Sequence, residues 1–597
     1  MTEQSLTVYE FGPFRLDATV RRLLRNGRPL SLTSKIFDML LLLVRKQGQL
    51  VTKEELMGEL WPDRFVVQNN LTVHMSTLRK ILGERHRDHK YIETVPGRGY
   101  RFVARVRAVE DENRNGIRES VVDNAEHHAI NHRDELTKSI AVLPFVNTSN
   151  NPNLDYLSDG LTASIINILS QIPQLRVMAR STVFRYKGRG LDAQEIGLEI
   201  GVGATVVGNV LQLSDRLIIS VELVRTGDGV QLWGEQYNRP PSDIFAVQEE
   251  IARELTGKLR LKLTGTERRQ LAKQQTDNID AFHLYLKGSY FWSKRTPEDI
   301  RKGMKYFTSA IKLDKNYALA YAGLADCYSG LAIWNERSPR KSFPKAKQAV
   351  MKALEIDATL AEAHNSLAVI LEFYDWNFEE AEREHLRAID LNPNSVLIHR
   401  RYAGFLSRME RHQEAIDQMR QAQALDPLSS NINMDLGGIY YYARQYSLAI
   451  EQCRETLEID PSFGGPHILI SLALLKMGKY KEAIAEARKA QGLLGDNPDG
   501  VTHVGYAYAV AGRRSAALEI LNQLMELSSQ KYIPPYLMAY ICAGLKLNDQ
   551  TFEWLEKSYE ERSYVLVGLK ALPIFDDLRS DQRFSDLLQR VGLITKT

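Results

Sequence analysis

At 597 residues the chain is too long for one hydrophobic core and divides into three to five units of roughly 150 residues each. Its 44% apolar and 25% charged content is ordinary globular composition, which excludes a fibre or a wholly disordered chain. Cys327, Cys453 and Cys542 lie too far apart for a disulfide framework or a Cys-rich zinc cluster, and fit a reducing compartment. The net charge of +3 conceals an asymmetry. Residues 1–107 hold 19 Lys+Arg against 11 Asp+Glu, and the remainder 58 against 63. A basic head on a slightly acidic body points to a polyanionic partner for the head.

The longest apolar run, near residues 39–44, falls far short of the roughly 20 residues that span a bilayer. The N-terminus has no basic start followed by an apolar core, so no signal peptide is visible. The expectation is a soluble, cytoplasmic protein without a membrane partner.

In chain order, the head opens with short strands at residues 8–11 and 14–17. Asn26-Gly27 then supplies the positive φ angles of a two-residue hairpin. Ile36, Phe37, Leu40, Leu41 and Val44 recur at helical spacing, stopped by Gly48. Thr52-Lys-Glu-Glu55 is a capping box that opens a short helix ending before Trp61-Pro62. A third helix covers about residues 69–82, and a second hairpin follows with a Gly-rich tip at residues 96–99.

At 100° per residue, Leu71, Met75, Leu78 and Leu82 of the third helix fall within about 60° of one another and form a buried stripe. The opposite arc carries Asn69, Val73, Ser76, Thr77 and Lys80, with Asn70, Thr72, His74 and Arg79 on the flanks. Small polar groups and a methyl-bearing residue suit base edges in a major groove, and flanking cations suit phosphates. The plain alternative is a solvated helix face.

Two blocks decide between these readings: Leu71-Thr-Val-His74-Met-Ser-Thr-Leu78-Arg79-Lys80-Ile-Leu-Gly83 and Ile92-Glu-Thr-Val-Pro-Gly-Arg-Gly-Tyr100-Arg-Phe102. At this separation they resemble the winged helix-turn-helix effector domain of the OmpR/PhoB family of bacterial response regulators. The resemblance implies a third helix that reads the major groove of double-stranded promoter DNA and a wing that reaches the neighbouring minor groove. It makes Asn69, Thr72, Val73, Ser76, Thr77 and Lys80 recognition candidates, and Asn70, His74 and Arg79 flanking or backbone contacts. Arg98 is the wing-tip candidate, with Arg101 beside it. Many family members have arginines where Ser76 and Thr77 stand, so base preference does not transfer. No receiver domain precedes the head, hence no aspartate to phosphorylate. Tyr100 and Phe102 read as wing core rather than as stacking residues.

Residues 108–138 lack a sustained apolar period and read as a polar linker. Its His127, His128 and His132 have no Cys or second cluster to complete a metal site. From Ser139 the pattern becomes an α/β domain over residues 139–265. A buried strand at 139–147, a helix at 159–172, a strand at 175–184 and a helix at 192–201 come first. Paired strands at 204–225 and 231–237 and a helix at 244–263 complete it. Ile140-Ala-Val-Leu-Pro-Phe145, the helix start at residues 156–165 and the strand at residues 204–210 resemble the TolB-N-terminal-like or FlgO-like domain. Gly201, Gly203 and Gly208 miss the spacing of a phosphate-cradling loop, which favours structural use.

The rest repeats. Ala415, Ala449, Ala483 and Ala517 are 34 apart, as are Pro393, Pro427 and Pro461, and Gly478 and Gly512. Each block is two short helices with a small residue at their contact and proline ending the second. This is the tetratricopeptide pattern over residues 277–592, with roughly seven to nine helix pairs and a capping terminal helix. Extra residues interrupt the period around 334–342 and 374–377. The expected fold is a multidomain chain: a winged-helix (α+β) head, a central α/β domain and an all-α tetratricopeptide-repeat superhelix. Such arrays present a concave face to a peptide or protein, to another part of the same chain, or to a second copy. Cys453 reads as core, and the acidic residues of the repeats read as solvent-facing.

No catalytic constellation, cofactor loop or metal motif emerges, so no enzyme is expected. The layout resembles HilA-type transcription regulators; in the related family the loop before the recognition helix, here residues 62–67, can touch RNA polymerase. A homodimer on DNA belongs to the same reading. The rivals are a repeat scaffold with the head as tether, and a small-molecule sensor working through the α/β domain.

Overall fold

The structure is a computed structural model. It describes residues 8–18, 22–25, 28–30, 34–60, 71, 75, 78–79, 81–84, 90–95, 98–109, 138–149, 155–189, 192–213, 215–240, 243–261, 263–265, 267, 275–294, 296–334, 336–495 and 497–595. The chain divides into two compact units, one holding the head and the other the body.

In the head, β1 (Val8–Phe11), β2 (Phe14–Asp17), β3 (Arg22–Arg25) and β4 (Arg28–Leu30) form an antiparallel meander. Pairing of Arg25 with Arg28 leaves two residues between β3 and β4, as the Asn-Gly signal requires. A strand that the residue pattern does not announce, β8 (Arg107–Val109), returns to pair with β1, giving the order β4-β3-β2-β1-β8. It crosses the boundary expected at residue 107. The helix Ser34–Arg45 buries Ile36, Phe37, Leu40, Leu41 and Val44, the five positions its periodicity selects. Between it and the helix Lys53–Leu60 lies a second unforeseen strand, β5 (Leu50–Thr52), which pairs with the wing. The capping box is formed: Glu55 N donates to Thr52 Oγ1 at 3.1 Å, and Thr52 N to Glu55 Oε2 at 3.4 Å.

The second sheet system, β9 (Ser139–Val142), β10 (Val146–Asn147), β11 (Arg176–Val177), β12 (Ala204–Leu213), β13 (Arg216–Arg225) and β14 (Gln231–Arg239), has the order β11-β9-β12-β13-β14. β9 runs parallel to β11 and β12, while β12, β13 and β14 form an antiparallel meander. Two expectations need correction. The strand over residues 175–184 is only β11, after which Arg180–Val183 is helical, because this segment turns away from β9 to meet the repeats. The last helix is Ile244–Lys258, closed by Leu259 and by Arg260 at φ 54 rather than running to residue 263. Gly208 is structural: a Cβ there would lie 2.8 Å from the Phe145 ring.

Eight helix pairs follow among the described residues, from Ile279–Lys294 to Asn548–Glu560, and then the terminal helix Gln582–Val591. Ala415, Ala449, Ala483 and Ala517 are fully buried, and the frame extends to Ala381 and Thr551. The turn inside each of the last six pairs takes a left-handed residue, and it falls every 34 positions: Trp376, Glu410, Arg444, Gly478, Gly512 and Lys546, with φ between 58 and 78. The extra length expected near residue 374 is one residue, taken up by a π-helical turn, Leu371–Asp375, just ahead of this frame. Cys453 is fully buried, and burial pushes its thiol up to about 12.

The two rims of the array are both occupied. Along the turns between repeats lies the α/β domain. Ala179 N donates to Leu425 O at 2.9 Å, Thr182 Oγ1 and Ser181 Oγ donate to Asp426, Asn394 Nδ2 donates to Ile172 O at 2.9 Å, and Asn167 Nδ2 donates to Glu362 Oε1 at 3.1 Å. Gly160 permits this approach, since a Cβ there would meet Leu286 Cδ1 at 2.5 Å. Along the turns inside repeats lies the segment after the last pair. Phe373 meets Tyr564 edge-on, Lys570 pairs with Glu410 at 3.0 Å and Arg444 with Asp576 at 2.7 Å. Glu372 and Asp426 are buried and Glu362 is half-buried, which corrects the solvent-face reading for these three acidic residues.

Candidate nucleic-acid interface

The third helix is anchored as its spacing demands, with Leu71, Met75, Leu78 and Leu82 at most 2% exposed. The wing is β6 (Ile92–Val95) and β7 (Gly99–Phe102), paired from Ile92↔Phe102 to Val95↔Gly99. Tyr100 and Phe102 are buried in the head's core, Phe102 edge-on to Phe11 at 5.1 Å. Gly99 is required by close approach, because a Cβ would fall 2.1 Å from Val51 O on β5. β5 thus braces the wing against the body of the head.

Among the candidate DNA residues, Asn69, Asn70, Thr72, Val73, His74, Ser76, Thr77 and Lys80 lie outside the described residues, as do the loop 62–67 and His127, His128 and His132. Arg98 is exposed at the wing tip. Its N–H closes the turn on Val95 O at 3.0 Å, and its carbonyl accepts from Lys53 N at 3.2 Å. Arg101 is half-exposed and pairs with Glu93 at 3.0 Å across the hairpin, which leaves its charge partly neutralised.

Arg79 sits differently from a free flanking cation. Its Nη2 donates to Ile92 O at 3.1 Å and Thr94 Oγ1 at 2.6 Å, and its guanidinium lies over the Tyr100 ring at 5.9 Å. The side chain is largely buried and ties the third helix to the wing. Glu84, a residue that no motif singles out, completes the tie: its buried carboxylate accepts from the backbone N–H of Tyr91 and, at 3.0 Å, of Ile92. Gly83 at φ +73 turns the chain so that Glu84 can do this, and that glycine was the available signal. Helix and wing are therefore one rigid reading head.

A braced wing, a core-anchored third helix and an excess of cations define a winged-helix DNA-binding domain. Residues 27–102 match the family of transcriptional regulatory protein C-terminal domains. Residues 136–254 match the second domain of HilA/YgeH-like transcriptional regulators, and residues 406–462 and 466–493 match tetratricopeptide repeats. In domain content and order the chain is similar to HilA-type transcriptional regulators.

Transcriptional regulator HilA of Salmonella typhimurium is 24% identical over 448 residues, 74% of this chain and 68% of that protein. A Rhizobium meliloti protein named "Putative adenylate cyclase 3" is 32% identical over 250 residues, and the match spans 42% of that relative's length. Among solved structures, the DNA-binding domain of Escherichia coli CadC is matched over its full length and 18% of this chain, at 28% identity and a TM-score of 0.16. Among the described residues no helix is long and apolar enough to cross a membrane.

Proposed function

We propose that the protein is a non-enzymatic, sequence-specific transcription regulator whose head binds promoter DNA in the cytoplasm while the body governs when it does so. The observation that carries this reading is the rigid coupling of the third helix to the wing through Arg79 and Glu84. Two groove-reading elements held in fixed register suit a duplex, and a bare solvated helix needs no such tie. By helical periodicity Asn69, Thr72, Val73, Ser76, Thr77 and Lys80 face base edges. Each good bidentate contact is worth about 1–3 kcal/mol of discrimination. Asn70 and His74 flank them on the backbone, and Arg98 enters or straddles the minor groove with Arg101 supporting it. Arg79 acts by positioning the helix.

Residues 62–67 would meet RNA polymerase, a homodimer would occupy paired half-sites, and the repeats would receive a protein or peptide partner. The test is Lys80→Ala combined with Arg98→Ala in the full chain, measured by promoter binding across a salt series. Specific affinity falls, and the log–log salt slope becomes shallower by about 0.9 for each phosphate no longer neutralised. Unchanged affinity and slope would leave the scaffold reading, in which the head is only a tether.

A further inference from the structure

We propose that the junction of the α/β domain with the first repeats is a binding site for a small aromatic carboxylate. The proposal does not rest on the DNA reading. A cavity of about 430 Å³ opens between the helix Asp155–Ser170, the start of the helix Ile244–Lys258 and the first three repeats. That is within the range of roughly 300–1,000 Å³ typical of ligand sites. Its walls are aromatic: Tyr156, Phe245, Phe282, Tyr285 and Tyr290 line it, and the Phe245 and Phe282 rings meet edge-on at 4.7 Å.

Three buried donor atoms in this lining have no acceptor. Gln248 is 5% exposed, and its Oε1 takes a hydrogen bond from Ser164 Oγ at 3.1 Å, which leaves Nε2 unpaired. Tyr317 is fully buried, and its hydroxyl has no partner. Arg180 has an unpaired Nε. Its nearest counter-charge, Asp159, is held by Lys187 at 2.6 Å. Unmade hydrogen bonds of this kind are costly in the interior, and an acceptor-rich ligand removes that cost.

The acidic lining limits the ligand to one negative charge. Glu362 is half-buried and bound by Asn167, and desolvation pushes its carboxyl above the ordinary carboxylate range, toward the neutral form. Asp243 and Glu249 also line the cavity, and their charge would repel a polyanion. The fitting molecule has a flat apolar body among the rings and one carboxylate toward Arg180 and Gln248. Because the α/β domain and the repeats each supply part of the wall, its binding strengthens their docking.

The test uses the full chain and three probes of one shape: phenylacetate, phenylacetamide and 2-phenylethylamine, by titration calorimetry and thermal shift, with indole-3-acetate as a larger acid. At least one acid binds and raises the melting temperature. Phenylacetate binds about tenfold or more better than the amide, the effect of one charge-assisted hydrogen bond. Arg180→Gln abolishes that preference. Ala163→Phe fills the cavity, keeps the unliganded melting temperature and loses binding, which keeps the proposal open to refutation if the first variant does not fold. Flat titrations with both acids, tighter binding of the amine, or undiminished binding in a folded variant would overturn it.

Discussion

The two rims of the repeat array are held by different chemistry. On the rim of inter-repeat turns, the α/β domain is fixed by neutral and singly charged hydrogen bonds to Glu362, Asn394 and Asp426, and it leaves a cavity. On the rim of intra-repeat turns, the segment after the last helix pair is fixed by the ring contact of Phe373 with Tyr564 and by the ion pairs of Glu410 and Arg444. Beneath that rim Glu372 is buried and paired with Arg408, whose guanidinium also lies 4.8 Å from the Phe373 ring centre. Identical 34-residue frames can therefore carry a filled, charge-locked seam on one side and a seam with a vacancy on the other. The repeat motif sets where the turns fall, and the residues on those turns set what they hold.

Breaking the charge-locked seam has the largest effect. Arg408→Met leaves Glu372 charged and unpartnered in the interior, where burial already pushes its pKa upward. The body loses about 3–5 kcal/mol in urea unfolding, and adding Glu372→Met recovers most of it. On the other rim, Asp426→Ala strands the hydroxyls of Ser181 and Thr182. A loss of about 2 kcal/mol is expected, with faster proteolysis around residues 179–189 as the readout that the docking itself has loosened. Lys570→Ala removes a pair with Glu410 in which both side chains remain about one-third exposed. Its effect stays below about 1 kcal/mol and fades in high salt.

Much of this was legible in the sequence where a local rule determines the outcome. The stripe Leu71, Met75, Leu78 and Leu82, the Thr52–Glu55 box and the alanines at 34-residue spacing depend only on helix geometry, and each lies where that geometry puts it. What escaped depends on partners distant in the chain. β5 and β8 are three residues each, too short for a periodic signal, and exist because β7 and β1 offer open edges. Residues 178–184 have the apolar, β-branched composition of a strand, yet the pull of Leu425 and Asp426 bends them into a helical turn. Glu362, Glu372 and Asp426 carry polar spacing that looks solvated until a neighbour covers it. Of the candidate site, the wing's buried rings were readable, while the engagement of Arg79 by Ile92 and Thr94 requires knowing where the hairpin folds back.

Repeat solenoids ordinarily behave as springs, each unit free to rotate slightly against the next. Here a brace runs along either side of the coil, one supplied by chain that precedes it and one by chain that follows. Such a coil cannot lengthen evenly. It must first let go of one brace, and the cavity places the weaker grip on the side that leads back toward the N-terminus.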